Sequence, residues 1–101
     1  MVSLFALYRR PSDEKAFLEH YRTVHVPLAA KMPGLLKLNW GRQTLLGNKS
    51  EDSLFLVAEM RFSDREAMMN GLNSPEGRAA AHDLEILAKG LVTMRMVEWN
   101  D

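Results

Sequence analysis

Cysteine is absent from all 101 residues, which excludes disulfides, thiolate metal sites and cysteine nucleophiles, and is compatible with a reducing compartment. An excess of either charge is absent too: 13 basic and 13 acidic side chains cancel, and no run of like charge exceeds two residues. The electrostatic footprint that nucleic acid or anionic lipid demands is therefore missing. No apolar stretch approaches the roughly 18 residues needed to cross a bilayer, so the expected location is the cytoplasm. The six glycines and three histidines form no glycine-rich phosphate loop, no G-x-S-x-G elbow and no histidine pair at metal spacing. Neither a cofactor nor a metal is expected from these patterns.

What is present is a hydrophobic content of 47%, enough for one core in one domain over residues 1–101. Residues 2–9 are apolar and aromatic and stop at Arg9-Arg10-Pro11, where proline cannot donate to a ladder, so they read as a strand rather than a signal peptide. Ser12 can cap a following helix, with Asp13 and Glu14 in its first turn. At about 100° per residue Phe17, Tyr21, Val24 and Leu28 share a stripe flanked by Leu18 and His25, which predicts a helix over 13–24 and a further turn after Pro27. A second strand is expected over 35–45, a loop over 47–52 and a third strand over 54–62. Ser63 with Glu66 reads as a capping box for a short helix over 64–72. Ser74-Pro75 opens a last helix reaching about 89, Gly90 ends it, and a final strand covers 91–99.

This order predicts an α+β, ferredoxin-like βαββαβ unit with a four-stranded antiparallel sheet and helices on one face. Strand one is apolar on both faces (Leu4 and Ala6 against Phe5 and Leu7), and so is strand four (Leu91, Val97 and Trp99 against Val92, Met94 and Met96). Helices cover only one face, so a second sheet is expected on the other: a homodimer with its sheets face to face around a cavity.

The richest stretch chemically is His25-Val26-Pro27-Leu28, running on to Met32-Pro33-Gly34-Leu35. It sets an imidazole, the side chain that titrates near neutrality, beside a proline that a helix must bend around or stop at. If His25 faces a cavity it can serve as a general acid or base; if it merely ends a helix it caps carbonyls. His20 falls on the opposite flank, where solvent exposure is expected. His82, in the last helix beside Asp83, lacks a second ligand one turn away and is a weak haem or metal candidate. Tyr8, Tyr21, Leu28, Trp40, Met60 and Met94 are candidate lining for an apolar, polarizable pocket that takes a small hydrophobic or aromatic metabolite. Asn39, Arg42, Glu59, Arg61 and Arg95 are polar side chains within strands that would orient a ligand if they reached the cavity.

Phe17-Leu18-Glu19-His20-Tyr21 leading into His25-Val26-Pro27-Leu28, then Pro33-Gly34-Leu35, resembles the signature of the EthD family, named for ethyl tert-butyl ether degradation. The resemblance covers most of the chain and implies a dimeric α/β barrel of ferredoxin-like subunits. The family's namesake accompanies a cytochrome P450 system, and relatives include dehydratases of aromatic polyketide pathways. A methylmuconolactone isomerase is similar as well, with a histidine seven residues ahead of Met-Pro-Gly-Leu that serves as its acid–base group; His25 matches it by position. Three readings follow: a cofactor-independent isomerase, dehydratase or cyclase using His25; a non-catalytic accessory or binding protein for an oxygenase system; and a monooxygenase-like oxidoreductase, with or without haem.

Overall fold

The computed structural model describes residues 1–47 and 54–100; beyond Gly47, the loop expected over 47–52 lies outside the described residues. The elements run β1 (Val2–Arg9), a helical stretch made of α1 (Glu14–His20), a π-helical turn (Tyr21–His25) and α2 (Val26–Ala29), then β2 (Lys37–Arg42), β3 (Leu54–Phe62), α3 (Arg65–Asn73), α4 (Pro75–Ala88) and β4 (Val92–Glu98). The strands form one antiparallel sheet in the order β2-β3-β1-β4. This is the expected ferredoxin-like α+β architecture, with β2 shorter than its sequence suggested. Among the described residues, no helix is long and apolar enough to cross a membrane.

Alternation along the central strands builds the layer between sheet and helices. Val2, Leu4, Ala6 and Tyr8 of β1 sit opposite Phe62, Met60, Ala58 and Leu56 of β3, and all eight are buried. Complete burial of Leu56 and Phe62 is worth about 1.5–3 kcal/mol each. Two core clusters result, one around Met32, Met68 and Phe62, the other around Tyr8, Phe17, Tyr21 and Phe55.

The helix starts correct two expectations by one residue. Asp13, not Ser12, caps α1 by accepting from the Ala16 N–H at 3.0 Å, and Asp64, not Ser63, caps α3 by accepting from the Ala67 N–H at 2.8 Å. Where a serine precedes an aspartate, the carboxylate is the stronger acceptor at the positive end of a helix and takes the cap. Ser74 caps α4 as expected, accepting from the Gly77 N–H at 3.0 Å.

The face of the sheet turned away from the helices mixes apolar and polar groups. Phe5 and Leu7 of β1 lie half-buried there beside Val57 and Val97, and Trp99 stacks edge-on against Phe5 at 6.4 Å. Around them runs a hydrogen-bonded chain: the Trp99 indole N–H donates to the Ser3 hydroxyl at 2.8 Å, that hydroxyl donates to Glu59 at 2.6 Å, and Arg61 donates to the same carboxylate at 2.8 Å. The Ser3 hydroxyl, and next the Arg61 guanidinium, hold the Glu59 carboxyl below the usual carboxylate range.

Candidate functional site

Local backbone chemistry sets the position of His25. Proline lacks an N–H, and its ring crowds the carbonyl four residues back, so Pro27 disfavours an ordinary α-turn around it. The chain neither breaks nor stops: the turn before Pro27 widens, and the Val26 N–H reaches back five residues to the Tyr21 carbonyl. The widening changes which side chains face inward. Four-residue steps on a regular 3.6-residue helix drift by about 40° each, so residues 17 and 29 would diverge by about 120°. With a wider turn between them, Phe17, Tyr21, His25 and Ala29 are all buried. The stripe expected from a regular helix is corrected accordingly: Val24 is exposed, and Leu28 is half-buried against the core without lining a cavity.

His25 is only 7% exposed, and its Nδ1 lies 3.1 Å from Oδ2 of Asp83, a residue of α4 that is also 7% exposed. The other carboxylate oxygen, Oδ1, lies 2.7 Å from Nε2 of His20. A carboxylate only accepts, so His25 donates its Nδ1–H and His20 its Nε2–H. His20 is therefore corrected from a solvent-exposed residue to a half-buried partner of Asp83. His82, next to Asp83, is exposed on α4. Among the described residues, no three histidine, cysteine or acidic side chains converge to hold a metal ion.

His25 walls a partly open cavity of about 70 Å³ between the helices and the sheet, where residues of the two core clusters meet. Tyr8, Met60 and Met94 line it from the strands, and small side chains of α4, Gly77, Ala80 and Ala81, leave the space open. Met32, which sequence reasoning did not single out, adds a third thioether. A smaller adjoining space of about 10 Å³ touches Tyr8, Tyr21, His25 and Met60. Of the expected lining residues, Tyr8, Met60 and Met94 thus gather with His25 around the larger space, and Tyr21 borders the smaller one. Trp40 stands behind Tyr21, ring to ring at 5.0 Å, and faces a surface groove with Leu18 and Arg22. The cavity formed within the chain lies on the helical side of the sheet, whereas the one expected from sequence lay on the face opposite. Asn39, Glu59 and Arg61 sit on that opposite face and line neither space around His25.

Burial drives the His25 pKa below the imidazole's usual 6.5; the hydrogen bond and charge of Asp83 oppose the shift, and the His20 charge adds to it. The imidazole is neutral at pH 7, with Nδ1–H donated to Asp83 and, among the described residues, no hydrogen-bond partner on Nε2. Burial also raises both Tyr8 and Tyr21 above the ordinary phenol value, and a hydrogen bond between their hydroxyls raises Tyr8 further while opposing the shift of Tyr21, so both stay protonated.

A stability prediction follows from the direction of the His25 shift. The unfolded chain takes up its His25 proton near 6.5, before the folded protein does, so His25 adds stability at neutral pH that is lost as pH falls through 6.5 toward the folded-state value. The stability gap between the native protein and His25→Gln should narrow between pH 7.5 and 5.5 in urea unfolding. A gap independent of pH would contradict the burial of a neutral imidazole.

Fold and site define a class: a ferredoxin-like α+β domain with a buried histidine–carboxylate pair at the wall of an apolar cavity. The model of the EthD domain matches residues 9–88, and the chain belongs to the EthD family. A Rhodococcus erythropolis protein, described as an uncharacterised 11.0 kDa protein in the thcB–thcC intergenic region, is 35% identical over 95 residues, covering 93% of this chain and 90% of that one. The crystal structure of an EthD family protein from Bacillus halodurans is 36% identical, with a TM-score of 0.89 over 99% of each chain. Two more distant structures share the fold. One is a dimeric ferredoxin-like protein of unknown function from Thermobifida fusca (16% identity, TM-score 0.72, 97% and 90% covered). The other is a variant of SnoaB, a cofactor-independent oxygenase from Streptomyces nogalater (14% identity, TM-score 0.67, 99% and 93% covered).

Proposed function

We propose that this protein is a cofactor-independent acid–base enzyme acting on a small apolar or aromatic carbonyl compound held between its helices and its sheet. The observation that carries the reading is the His25–Asp83 pair at the cavity wall. His25 is neither turned to solvent nor spent on backbone carbonyls, the two placements an accessory module would accommodate. In the reaction, Nε2 of His25 takes a proton from carbon adjacent to the substrate carbonyl, and the imidazolium formed is stabilised by Asp83. The electron pair moves to the carbonyl oxygen as an enolate, to which the protonated Tyr8 hydroxyl donates in place of its bond to Tyr21. Return of the proton from the imidazolium to a different atom gives isomerisation, and its transfer to a departing β-hydroxyl releases water and gives dehydration. Dry walls strengthen both interactions relative to water. At about 70 Å³ the cavity is small beside the roughly 300–1,000 Å³ of ligand pockets, so a substrate requires the flexible thioethers of Met32, Met60 and Met94 to move aside. SnoaB, a cofactor-independent oxygenase of the same fold, supports the cofactor-free part of this reading alone.

The test is wash-in of deuterium from D2O into the α-carbon of butanone, cyclopentanone and an unsaturated five-membered lactone, followed by proton NMR. Catalysed exchange of at least one probe by the native protein, absent with His25→Gln, is expected. Probes that bind without exchanging would instead leave a binding module.

We further propose that two copies pair through the open sheet face, as its apolar residues Phe5, Leu7, Val57 and Val97 suggest and as the dimeric Thermobifida fusca neighbour supports. Light scattering should give twice the chain mass for the native protein and the single-chain mass for Leu7→Arg. A native monomer at micromolar concentration would refute the pairing.

A further inference from the structure

Asp83 joins two environments. On one side it holds the buried His25 at the cavity wall; on the other it holds His20, whose side chain is 35% exposed. His20 borders an open surface groove of about 300 Å³ between the start of the first helix and the end of α4, lined also by Pro11, Asp13, Phe17 and Ile86. One carboxylate therefore links a sequestered imidazole to a solvent-reachable one. Had α4 needed only a counter-group for Asp83, His25 would have sufficed; the second histidine fills the remaining oxygen and fixes the carboxylate plane against rotation.

We propose that His20 is a positioning residue for the His25 base, fixing the orientation in which Asp83 supports the His25 imidazolium. This rests on the reading of His25 as the base. With Oδ1 held by His20, Oδ2 stays aimed at the imidazolium that forms on His25. The other ionisable groups around the pair are few. Tyr21 from the same helical run and Tyr8 from β1 face His25, and Asp13 lines the groove at His20. β2 and β3 present only the apolar Leu38, Ala58 and Met60 to the space beside His25.

The experiment is a pH titration of the protein labelled with ¹⁵N-histidine, following the imidazole nitrogens of native protein, His20→Gln and His20→Leu, with deuterium wash-in into cyclopentanone measured on the same samples. Gln can keep the bond to Asp83 without the charge; Leu keeps neither. Loss of the His20 charge raises the His25 midpoint in both variants, so the mark of a lost carboxylate orientation is a lower midpoint in His20→Leu than in His20→Gln. Exchange should fall about tenfold in His20→Leu, the scale seen when an orienting partner of a functional histidine is removed, and return to within about twofold of native in His20→Gln. Equal His25 midpoints in the Gln and Leu variants, or equal exchange in native and Leu proteins, would overturn the role of His20. Failure of the base reading itself looks different: the native protein would not exchange the probe, or would carry its His25 proton on Nε2.

Discussion

Replacing His25 with alanine is expected to slow turnover of any carbonyl substrate of this protein by about 10²- to 10⁴-fold, the contribution of a positioned general acid or base. The loss should lie in kcat, because the apolar walls that bind substrate, Tyr8, Met60 and Met94 among them, remain in place. Alanine also removes one hydrogen bond from a buried carboxylate, a bond worth about 1.5–3 kcal/mol when one partner is charged, so part of an observed loss could come from a loosened fold. His25→Gln separates the two effects. Its amide can still donate to Asp83 but cannot take up a proton at the Nε2 position, so exchange should fall as far as in the alanine variant while stability stays closer to native. Gln activity near the native level would remove His25 from the chemistry.

Gly77→Ala is expected to produce the largest loss of stability from a single methyl group. A Cβ at this position would lie 2.2 Å from the Gly71 carbonyl oxygen and 2.5 Å from that of Leu72, both backbone atoms of α3 that cannot move aside cheaply. Helix propensity acts in the opposite direction: alanine inside α4 should gain about 1 kcal/mol over glycine. Overpacking of this kind costs about 1–3 kcal/mol and occasionally more, and contacts this short belong at the upper end, so a net loss of about 2–3 kcal/mol is expected. For a chain of this size that corresponds to a melting temperature lower by roughly 10–20 °C. The effect should extend to the site, because the α3–α4 elbow sets where Asp83 meets His25. Thermal denaturation checks it; a variant melting within two degrees of native would mean that the elbow has room the geometry denies.

Much of the fold was legible in the sequence because local rules and tertiary packing agree. The apolar run stopped by Arg9-Arg10-Pro11 marked β1, Ser74-Pro75 marked the start of α4, and Gly90, with a φ of 75°, marked the turn into β4. The helical run over residues 14–29 was not fully legible. A regular 3.6-residue period put Val24 on the inner stripe and His25 on its flank, and the widened turn ahead of Pro27 reversed them. A wider turn has no side-chain signature of its own; it is settled by the packing of Phe17, Tyr21, His25 and Ala29 against the sheet.

The partner of His25 was harder still, since Asp83 lies 58 residues away along the chain. The usable clue was placement. Asp83 sits three residues after Ala80 and four before Leu87, an acid on the apolar stripe of an amphipathic helix, and such an acid needs a buried partner. The same clue would have pointed to His20, whose distance from Asp83 hides the pairing equally well. The cavity followed from neither period nor motif: it exists because Ala and Gly, rather than larger apolar residues, occupy the inner face of α4.

The measurement closest to the central claim is the protonation state of the His25 imidazole at pH 7, read from its ¹⁵N chemical shifts. The account predicts a neutral ring with the proton on Nδ1, held by Asp83, and a bare Nε2 beside the cavity. A charged ring, or a neutral one protonated on Nε2, would contradict it.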